Sequence, residues 1–115
     1  MQYLILIHDD PGAWAAMSEA QMGTMMAEYG TFTEEIRADG SLIGGNPLTR
    51  SNTAKLVRVR DGAQAVSDGP YAETREQLGG YYLVECASED EAIAIAARIP
   101  SARYGTMEVR GIMSM

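Results

Sequence analysis

Residues 68–82 of this 115-residue chain have the sequence DGPYAETREQLGGYY, and this stretch gives the clearest indication of the fold. The stretch opens on the turn motif DGP, continues through charged residues, and reaches a glycine pair before an apolar run at 81–84. Aspartate, glycine and proline favour a change of chain direction, whereas an unbroken apolar run is typical of a strand buried on both faces. The stretch therefore predicts a turn that leads into a central strand over residues 80–86.

Two helices flank this central strand in the sequence. Capping boxes at Ser18 and Ser88 predict where they begin, and Asp39-Gly40 and Pro100 predict where they end. Apolar side chains at spacings of three and four give the first helix one buried stripe. That stripe is predicted to comprise Met22, Met25, Met26, Tyr29, Phe32 and Ile36.

Five further strands complete the predicted elements. They are expected at 2–8, 41–46, 53–60, 63–67 and 106–112. Asp61-Gly62 separates two of these strands and is typical of a type I′ turn, so 53–67 is predicted to be a β-hairpin. The turn signal at 9–12 is predicted to be a loop.

Without that hairpin, the order of elements is strand, helix, strand, strand, helix, strand. This order predicts an α+β, ferredoxin-like βαββαβ fold with an inserted β-hairpin and both helices on one face of the sheet. We expect the sheet to mix parallel and antiparallel pairs, with strands 2–8 and 80–86 parallel. Within these strands, the runs Tyr3–Ile7 and Tyr81–Val84 are apolar on both faces, so the second face needs a cover. The prediction is a homodimer through the sheet face.

Composition excludes several classes of function. Hydrophobic residues make up 46% of the chain and charged residues 22%, which is enough to build a core. A net charge of -7 argues against direct binding of nucleic acid. One cysteine and one histidine leave few ligands for a metal, and no cofactor is predicted. There is no membrane span and no signal-peptide pattern, so a single cytoplasmic domain over residues 1–115 is expected.

The residues also resemble a known family. Residues 68–85, together with 3–7, 44–45 and 102–110, are similar to the YCII-related family and, through DGPY at 68–71, to its DGPF branch. The resemblance implies a dimeric ferredoxin-like α+β barrel. Members mostly lack a settled activity, and many are encoded beside extracytoplasmic-function sigma factors, which implies a functional link to such a factor.

The chain departs from that family at one point that matters for chemistry. Some YCII relatives carry a His–Asp pair, proposed as catalytic, whose histidine lies on the first helix. The predicted first helix has no histidine, and the positions around Tyr29 carry none. The resemblance therefore does not extend that enzymatic proposal to this chain.

Asp68 has a structural and a functional interpretation. An aspartate before glycine and proline can bond nearby backbone amides as an Asx-turn or an N-cap, with Pro70 beginning a short helical turn. Alternatively, Asp68 is a general base or ligand acceptor at the edge of a cleft. The residues expected to line that cleft are Gly69, Pro70, Tyr71, Glu73 and Arg75, with Glu73 and Arg75 fixing a polar substrate. The alternative for these charged residues is a solvated turn.

His8 and Trp14 are the other candidates. His8 is either a hydrogen-bonded residue at a strand end or, with Asp9 and Asp10 beside it, a proton donor or a one-histidine metal site. A further alternative is an acid–base pair with Asp68. Because the strands 2–8 and 80–86 are expected to run parallel, His8 and Asp68 are expected at opposite ends of the sheet. Trp14 follows the first strand and is predicted to act as a lid over an apolar pocket.

Three functions follow from these patterns. The first is binding of a small molecule in a cleft bordered by residues 68–75. The second is a lyase-like acid–base enzyme that uses Asp68 with His8 or Glu73. The third is an interaction module linked to a sigma factor, which needs no catalytic pocket.

Overall fold

The computed structural model describes residues 1–115 and contains six strands and three helices. The strands are β1 (Gln2–Asp9), β2 (Leu42–Pro47), β3 (Lys55–Arg60), β4 (Ala63–Asp68), β5 (Gln77–Glu85) and β6 (Thr106–Gly111). The helices are α1 (Pro11–Ala15), α2 (Glu19–Ala38) and α3 (Glu89–Arg98), with short 3₁₀ turns at Ser51–Thr53 and Pro100–Arg103. None of the helices combines the length and the apolar character needed to cross a bilayer.

The helix ends form as the sequence predicts, with one addition. Ser18 and Gln21 complete the reciprocal capping box of α2, and Gly40 follows that helix with a φ of 84°. Helix α1 was expected to be a loop, and that prediction was wrong. The Asp10 carboxylate accepts a hydrogen bond from the Gly12 amide, and Pro11 supplies a first helical residue that needs no hydrogen-bond partner for its nitrogen.

The four-stranded sheet has the order β2-β5-β1-β6, which confirms the ferredoxin-like βαββαβ fold with an inserted hairpin. Every adjacent pair is antiparallel, so the expected mixed sheet was wrong. In particular, β1 and β5 run antiparallel, with Tyr3 opposite Val84 and Ile7 opposite Gly80. The reason is topological. Helix α2 returns the chain so that β2 points the same way as β1, and β5 then lies between them in the opposite direction.

The core lies between one face of this sheet and helices α2 and α3. The buried side chains of this covered face are Tyr3, Ile5, Ile7, Tyr82 and Val84 from the strands, and Phe32, Ile36, Ala92, Ile95, Ala96 and Ile99 from the helical side. Met25 is also buried, but Met26 is 51% exposed, so the predicted stripe was too wide there. On α2 the buried positions 25, 32 and 36 form a narrow line, because only one side of the helix faces the sheet.

The opposite face of the sheet has no helix over it, and we call it the open face. Its apolar side chains are Leu4, Leu6, Tyr81 and Leu83, all of which remain partly exposed. The molecule is only 18 Å across in its thinnest direction, which accommodates one helical layer on one sheet. The apolar pattern of β1 therefore describes one face that is buried and one that stays partly uncovered in the single chain.

Strands β3 and β4 form a separate two-stranded sheet, which we call the arm. Its turn has φ values of 50° at Asp61 and 76° at Gly62, as a type I′ turn requires. The arm makes the molecule extended. The radius of gyration is 16.1 Å, compared with about 13 Å for a compact chain of this length.

Candidate functional site

Asp9, the last residue of β1, carries the most distinctive polar environment in the molecule. Side chains alternate along a strand, so Asp9 shares the covered face with Tyr3, Ile5 and Ile7. The indole Nε1 of Trp14 on α1 donates a hydrogen bond of 2.7 Å to Asp9 Oδ2. The helix that follows β1 thus folds back over the strand end and holds the carboxylate in place.

A chain of hydroxyl groups approaches Asp9 from the other side. Ser101, in the 3₁₀ turn after α3, is only 1% exposed and lies beside Asp9, whose pKa it lowers. The Tyr29 hydroxyl from α2 is hydrogen-bonded to Ser101 Oγ. Either hydroxyl can be the donor in the Tyr29–Ser101 hydrogen bond, and the Ser101 side chain lies beside the Asp9 carboxylate. Four segments of the chain therefore converge on one carboxylate.

Two glycines make room for this carboxylate. A Cβ atom at Gly79 would lie 3.1 Å from Asp9 Oδ1, and one at Gly105 would lie 3.1 Å from Asp9 Cα and 2.3 Å from the His8 carbonyl oxygen. Any side chain at either position would press on the end of β1. Gly79, the first of the glycine pair in the 68–82 stretch, thus serves the packing of the Asp9 site, whereas Gly80 lies against Asn46 and Pro47 of β2.

The surroundings shift the pKa values of the two neighbouring aspartates in opposite directions. Burial raises the pKa of Asp9, and the hydrogen bonds from Trp14 and Ser101 offset only part of this effect. The hydrogen bond from Arg75 Nε, at 3.1 Å, lowers the pKa of Asp10. Asp9 is therefore the more basic carboxylate of the pair.

A surface groove of about 510 Å³ lies beside this cluster, between α1, the first half of α2 and the 3₁₀ turn at 100–103. The residues that line it are Ala13, Ala16, Met17, Ala20, Gln21, Thr24, Met25, Glu28, Arg103 and Tyr104. Behind it is a recess of about 10 Å³ lined by Asp9, Asp10, Trp14 and Ser101. The two cavities share Ala13, Met17, Met25 and Tyr104, so these side chains form the wall between groove and carboxylate.

The residues of the DGPY segment lie elsewhere. The side chain of Asp68 is 80% exposed and pairs with Lys55 across the base of the arm, so it does not form the expected Asx-turn or N-cap. No helical turn begins at Pro70, because the chain passes through bends before β5 starts at Gln77. The Gln77 side chain instead donates to the Ala72 and Thr74 carbonyl groups and braces this loop.

His8 points away from the Asp9 site. Its Nε2 atom lies 2.9 Å from Glu108 Oε1, on the open face of the sheet, and this hydrogen bond lowers the pKa of Glu108. The expectation that His8 and Asp68 lie at opposite ends rested on parallel strands, and that premise was wrong. The end of β1 is beside the start of β5. The two side chains nevertheless have separate partners, Glu108 and Lys55.

The structure brings two of the predicted site residues to the Asp9 cluster. Trp14 bonds Asp9, and Arg75 bonds Asp10. Neither cavity is lined by Asp68, Gly69, Pro70, Tyr71, Glu73 or His8, and Tyr71 is 85% exposed. No three His, Cys, Asp or Glu side chains lie close enough together to hold a metal ion. The roles assigned to these residues stay predictions.

Sequence reasoning missed Asp9, Tyr29 and Ser101. A signal for Asp9 was present, since it continues the odd-numbered series 3, 5 and 7 of β1. Tyr29 was predicted only in the apolar stripe of the first helix, which gave no indication of the hydrogen bond that its hydroxyl makes. Ser101 had no signal, because a serine after a proline is common in exposed turns.

Comparison with known proteins places this geometry in context. Residues 1–115 match the YCII-related domain. An uncharacterized protein of Rhizobium meliloti (strain 1021) is 34% identical over 112 residues, which cover 96% of this chain and 90% of that protein. Among solved structures, the chain is similar to the 5-chloro-2-hydroxyhydroquinone dehydrochlorinase of Burkholderia phenoliruptrix AC1100 in complex with 2,5-dihydroxybenzoquinone. That match has a TM-score of 0.60 and 16% identity, and it covers 98% of this chain and 94% of the dehydrochlorinase.

Proposed function

The chain belongs to the YCII-related domain family, and we propose that it binds a small uncharged molecule in the groove beside α1 and that Asp9 accepts a proton from it. The observation that carries this proposal is the Asp9 carboxylate. It is half-buried, it is held by Trp14 and Ser101, and burial raises its pKa. A carboxylate with a raised pKa is a stronger base than an exposed one, and such groups concentrate at functional sites.

The lining of the groove favours an uncharged, mainly apolar ligand. Six of its ten lining residues are hydrophobic. The charged pair in the lining, Glu28 and Arg103, is internally paired. Asp9 and Asp10 lie directly behind the wall, so an anionic ligand would be repelled. A volume of about 510 Å³ is within the usual range for small-molecule sites.

The surrounding residues support proton transfer to Asp9 by fixing the carboxylate. Trp14 donates a hydrogen bond to Asp9 Oδ2, and the hydrogen-bonded Tyr29 and Ser101 hydroxyl groups lie on the other side of the carboxylate. A base held in one orientation loses little freedom when it accepts a proton. Tyr29 is itself kept neutral, because burial raises its pKa above the usual value.

A ligand must displace part of the wall to reach Asp9. The recess of about 10 Å³ has room for one water molecule at most. Met17 has a flexible side chain and Tyr104 is 60% exposed, so both can move without disturbing the core. We therefore expect binding to open the wall at Met17 and Tyr104. In this scheme Trp14 lines the inner recess, which refines its predicted role as a lid.

The structural neighbour gives independent support for a small-molecule function. It is named as an enzyme that acts on a chlorinated hydroxyhydroquinone, and it was solved with a dihydroxybenzoquinone. A small hydroxylated ring has the apolar body and the weakly acidic proton that the groove and Asp9 favour. The first probes are therefore neutral phenols, hydroquinones and quinones.

A thermal-shift screen with these probes tests the proposal on four proteins: wild type, Asp9→Asn, Asp10→Asn and Asp68→Asn. We expect compounds that raise the melting temperature of wild type and of Asp68→Asn, with a shift at least halved in Asp9→Asn. Asp10→Asn controls for the loss of an adjacent charge. Binding that survives in Asp9→Asn and disappears in Asp68→Asn would contradict the proposal and place the ligand at the DGPY segment instead.

We also propose that the open face is covered by a second copy of the chain, as a homodimer through the sheet face. The partly exposed Leu4, Leu6, Tyr81 and Leu83 support it, since two such faces are self-complementary about a two-fold axis. Sedimentation of wild type and of Leu6→Glu tests the homodimer. We expect wild type to be dimeric and Leu6→Glu to be monomeric, and a monomeric wild type at tens of micromolar would contradict the proposal. The DGPF branch, the cytoplasmic location and the sigma-factor link stay predictions from the sequence.

A further inference from the structure

The arm has one apolar side that nothing in the chain covers. Lys55, Val57 and Val59 of β3 lie opposite Asp68, Val66 and Gln64 of β4, so these six side chains project from one side of the arm. The three valines are 62%, 62% and 55% exposed, in the order Val57, Val59, Val66. We call this side the valine face. Arg58 and Arg60 project from the other side of β3.

Such an arm needs a partner surface to be stable. A two-stranded hairpin without a third strand or a packed layer is only marginally stable in water. Each strand of the arm pairs only with the other, and β4 is exposed along its whole length. The turn and the alternating valines nevertheless specify the hairpin well. A well-specified hairpin that leaves its apolar side in solvent is the pattern of an element that is covered in an assembly.

We propose that the valine face of the arm packs against a second copy of this chain, so that each subunit of a two-fold dimer holds the other with its arm. The inference rests on the homodimer proposed above and adds a second contact to it. The valine face and the open face are two apolar surfaces that a single chain leaves exposed. In a two-fold dimer each subunit has one partner, so the same second copy covers both surfaces.

Charge favours a second copy over another partner. Residues 55–68 contain three of the nine lysine and arginine residues but only two of the sixteen acidic ones. The arm is therefore slightly basic, whereas the remainder of the chain is strongly acidic. The valine face itself carries only the Lys55–Asp68 ion pair, so it meets a second copy without like-charge repulsion. Arg58 and Arg60, on the other side of the arm, lower the long-range repulsion between two chains of net charge -7.

The test compares the dimer dissociation constants of three variants with that of wild type by sedimentation velocity. We expect the double variant Val57→Ser/Val59→Ser to weaken the dimer at least tenfold. The matched control Ile93→Ser removes an apolar side chain that is 49% exposed on α3, and we expect it to leave the dimer unchanged. Leu6→Glu reports on the open face. Arm variants that dimerise as wild type does, while Leu6→Glu does not, overturn the arm contact and leave the open-face dimer standing.

Hydrogen exchange on unmodified wild type covers the case in which the arm variants misfold. Amides in peptides from 55–68 are compared at about 1 µM and about 100 µM protein. We expect the slowing of exchange at high concentration to include the arm as well as β1. Protection of β1 alone overturns the arm contact. A wild type that stays monomeric at both concentrations overturns the arm contact and the homodimer together.

Discussion

His8 and Asp9 are neighbours in the chain, yet they lie on the two different faces of one sheet. Asp9 lies on the covered face, where helix α1 and the 3₁₀ turn at 100–103 bury it and its pKa rises. His8 lies on the open face, where it bonds Glu108 and the pKa of that carboxyl falls. The difference between the two faces is the helical layer. A layer that removes water favours the neutral form of an acid, whereas a hydrogen bond donated to the carboxylate favours the ionised form.

The two faces of the sheet are also suited to two different functions. The covered face combines burial, fixed hydrogen-bond donors and an adjacent groove, which is what proton transfer to or from a ligand requires. The open face combines apolar side chains with a solvent-accessible ion pair, which is typical of a surface that another protein covers. The four changes below test this separation, from the largest expected effect to the smallest.

Replacing one side chain from each face of β1 gives the largest contrast. Ile5 is fully buried on the covered face, so Ile5→Ala should lower the free energy of unfolding by about 2–5 kcal/mol. Leu6 is only partly buried on the open face, and Leu6→Ala should cost about 1 kcal/mol at concentrations where the chain is monomeric. Urea denaturation at low protein concentration measures both. Equal losses would show that the open face is packed within the single chain.

Removing the Ser101 hydroxyl tests whether the polar cluster is a unit. Ser101→Ala leaves the partly buried Tyr29 hydroxyl without its partner and removes the hydroxyl beside Asp9. We expect a loss of about 1–3 kcal/mol in urea denaturation. Ser67→Ala, at an exposed position of the arm, is the matched control and should change stability by less than about 0.5 kcal/mol. A neutral Ser101→Ala would mean that the cluster contributes no stability.

The pH dependence of stability should differ in sign between the two aspartates at the end of β1. Since the pKa of Asp9 is raised, its contribution to stability is present below pH 3.8 and is lost as the pH rises through the folded value. Asp9→Asn should therefore melt higher than wild type at pH 7, by up to about 4 °C, and the gap should close toward pH 3. Calorimetry between pH 3 and pH 8 measures it.

Asp10→Asn is the control for that experiment. The pKa of Asp10 is lowered, so its contribution is present above pH 3.8 and is lost as the pH falls. Asparagine keeps the helix cap but weakens the bond to Arg75, so this variant should melt slightly lower at pH 7. If the melting temperatures of both variants at pH 7 shift in the same direction relative to wild type, burial and pairing do not act oppositely on these two residues.

The smallest effect belongs to the ion pair on the open face. Glu108→Gln removes the acidic partner of His8, and an exposed pair of this kind contributes little. We expect a drop in melting temperature of less than about 2 °C at pH 6, which disappears as the pH falls through the lowered pKa of Glu108. Glu73→Gln, at an exposed loop position, should show no such pH dependence. A large effect would indicate that the pair is desolvated, as the proposed dimer would allow.

Local signals predicted the elements well and the relations between them less well. The serine caps, Gly40 and the Asp61-Gly62 turn act within a few residues, and each is confirmed. The direction of β5 relative to β1 depends on how the whole chain is threaded, and no local pattern encodes it. Helix α1 was missed because Asp-Pro-Gly is a signal shared by turns and by helix starts.

The candidate site shows the same limit. The polar density of 68–77 drew attention to Asp68, yet this aspartate lies in solvent at the base of the arm. Asp9 looked like part of a turn, because its environment is supplied by Trp14, Ser101 and Tyr29 from three other segments. Burial is a property of the folded chain. To predict a site that depends on burial, one must know which face of a strand a residue lies on and which helices will cover that face.

The arm leaves the four-stranded sheet and returns to it at nearly the same point. Pro47 lies opposite Gly80, and the Leu48 amide donates a 2.8 Å hydrogen bond to the Gly79 carbonyl group. Strands β2 and β5 are thus hydrogen-bonded to each other at the point where the chain leaves the sheet. A short hairpin turn would be enough to connect them. The sheet sets no limit on how long the intervening segment is or what it carries. Insertions, deletions and exchange of this segment between relatives can therefore alter how subunits associate while the strand order and the Asp9 cluster stay the same.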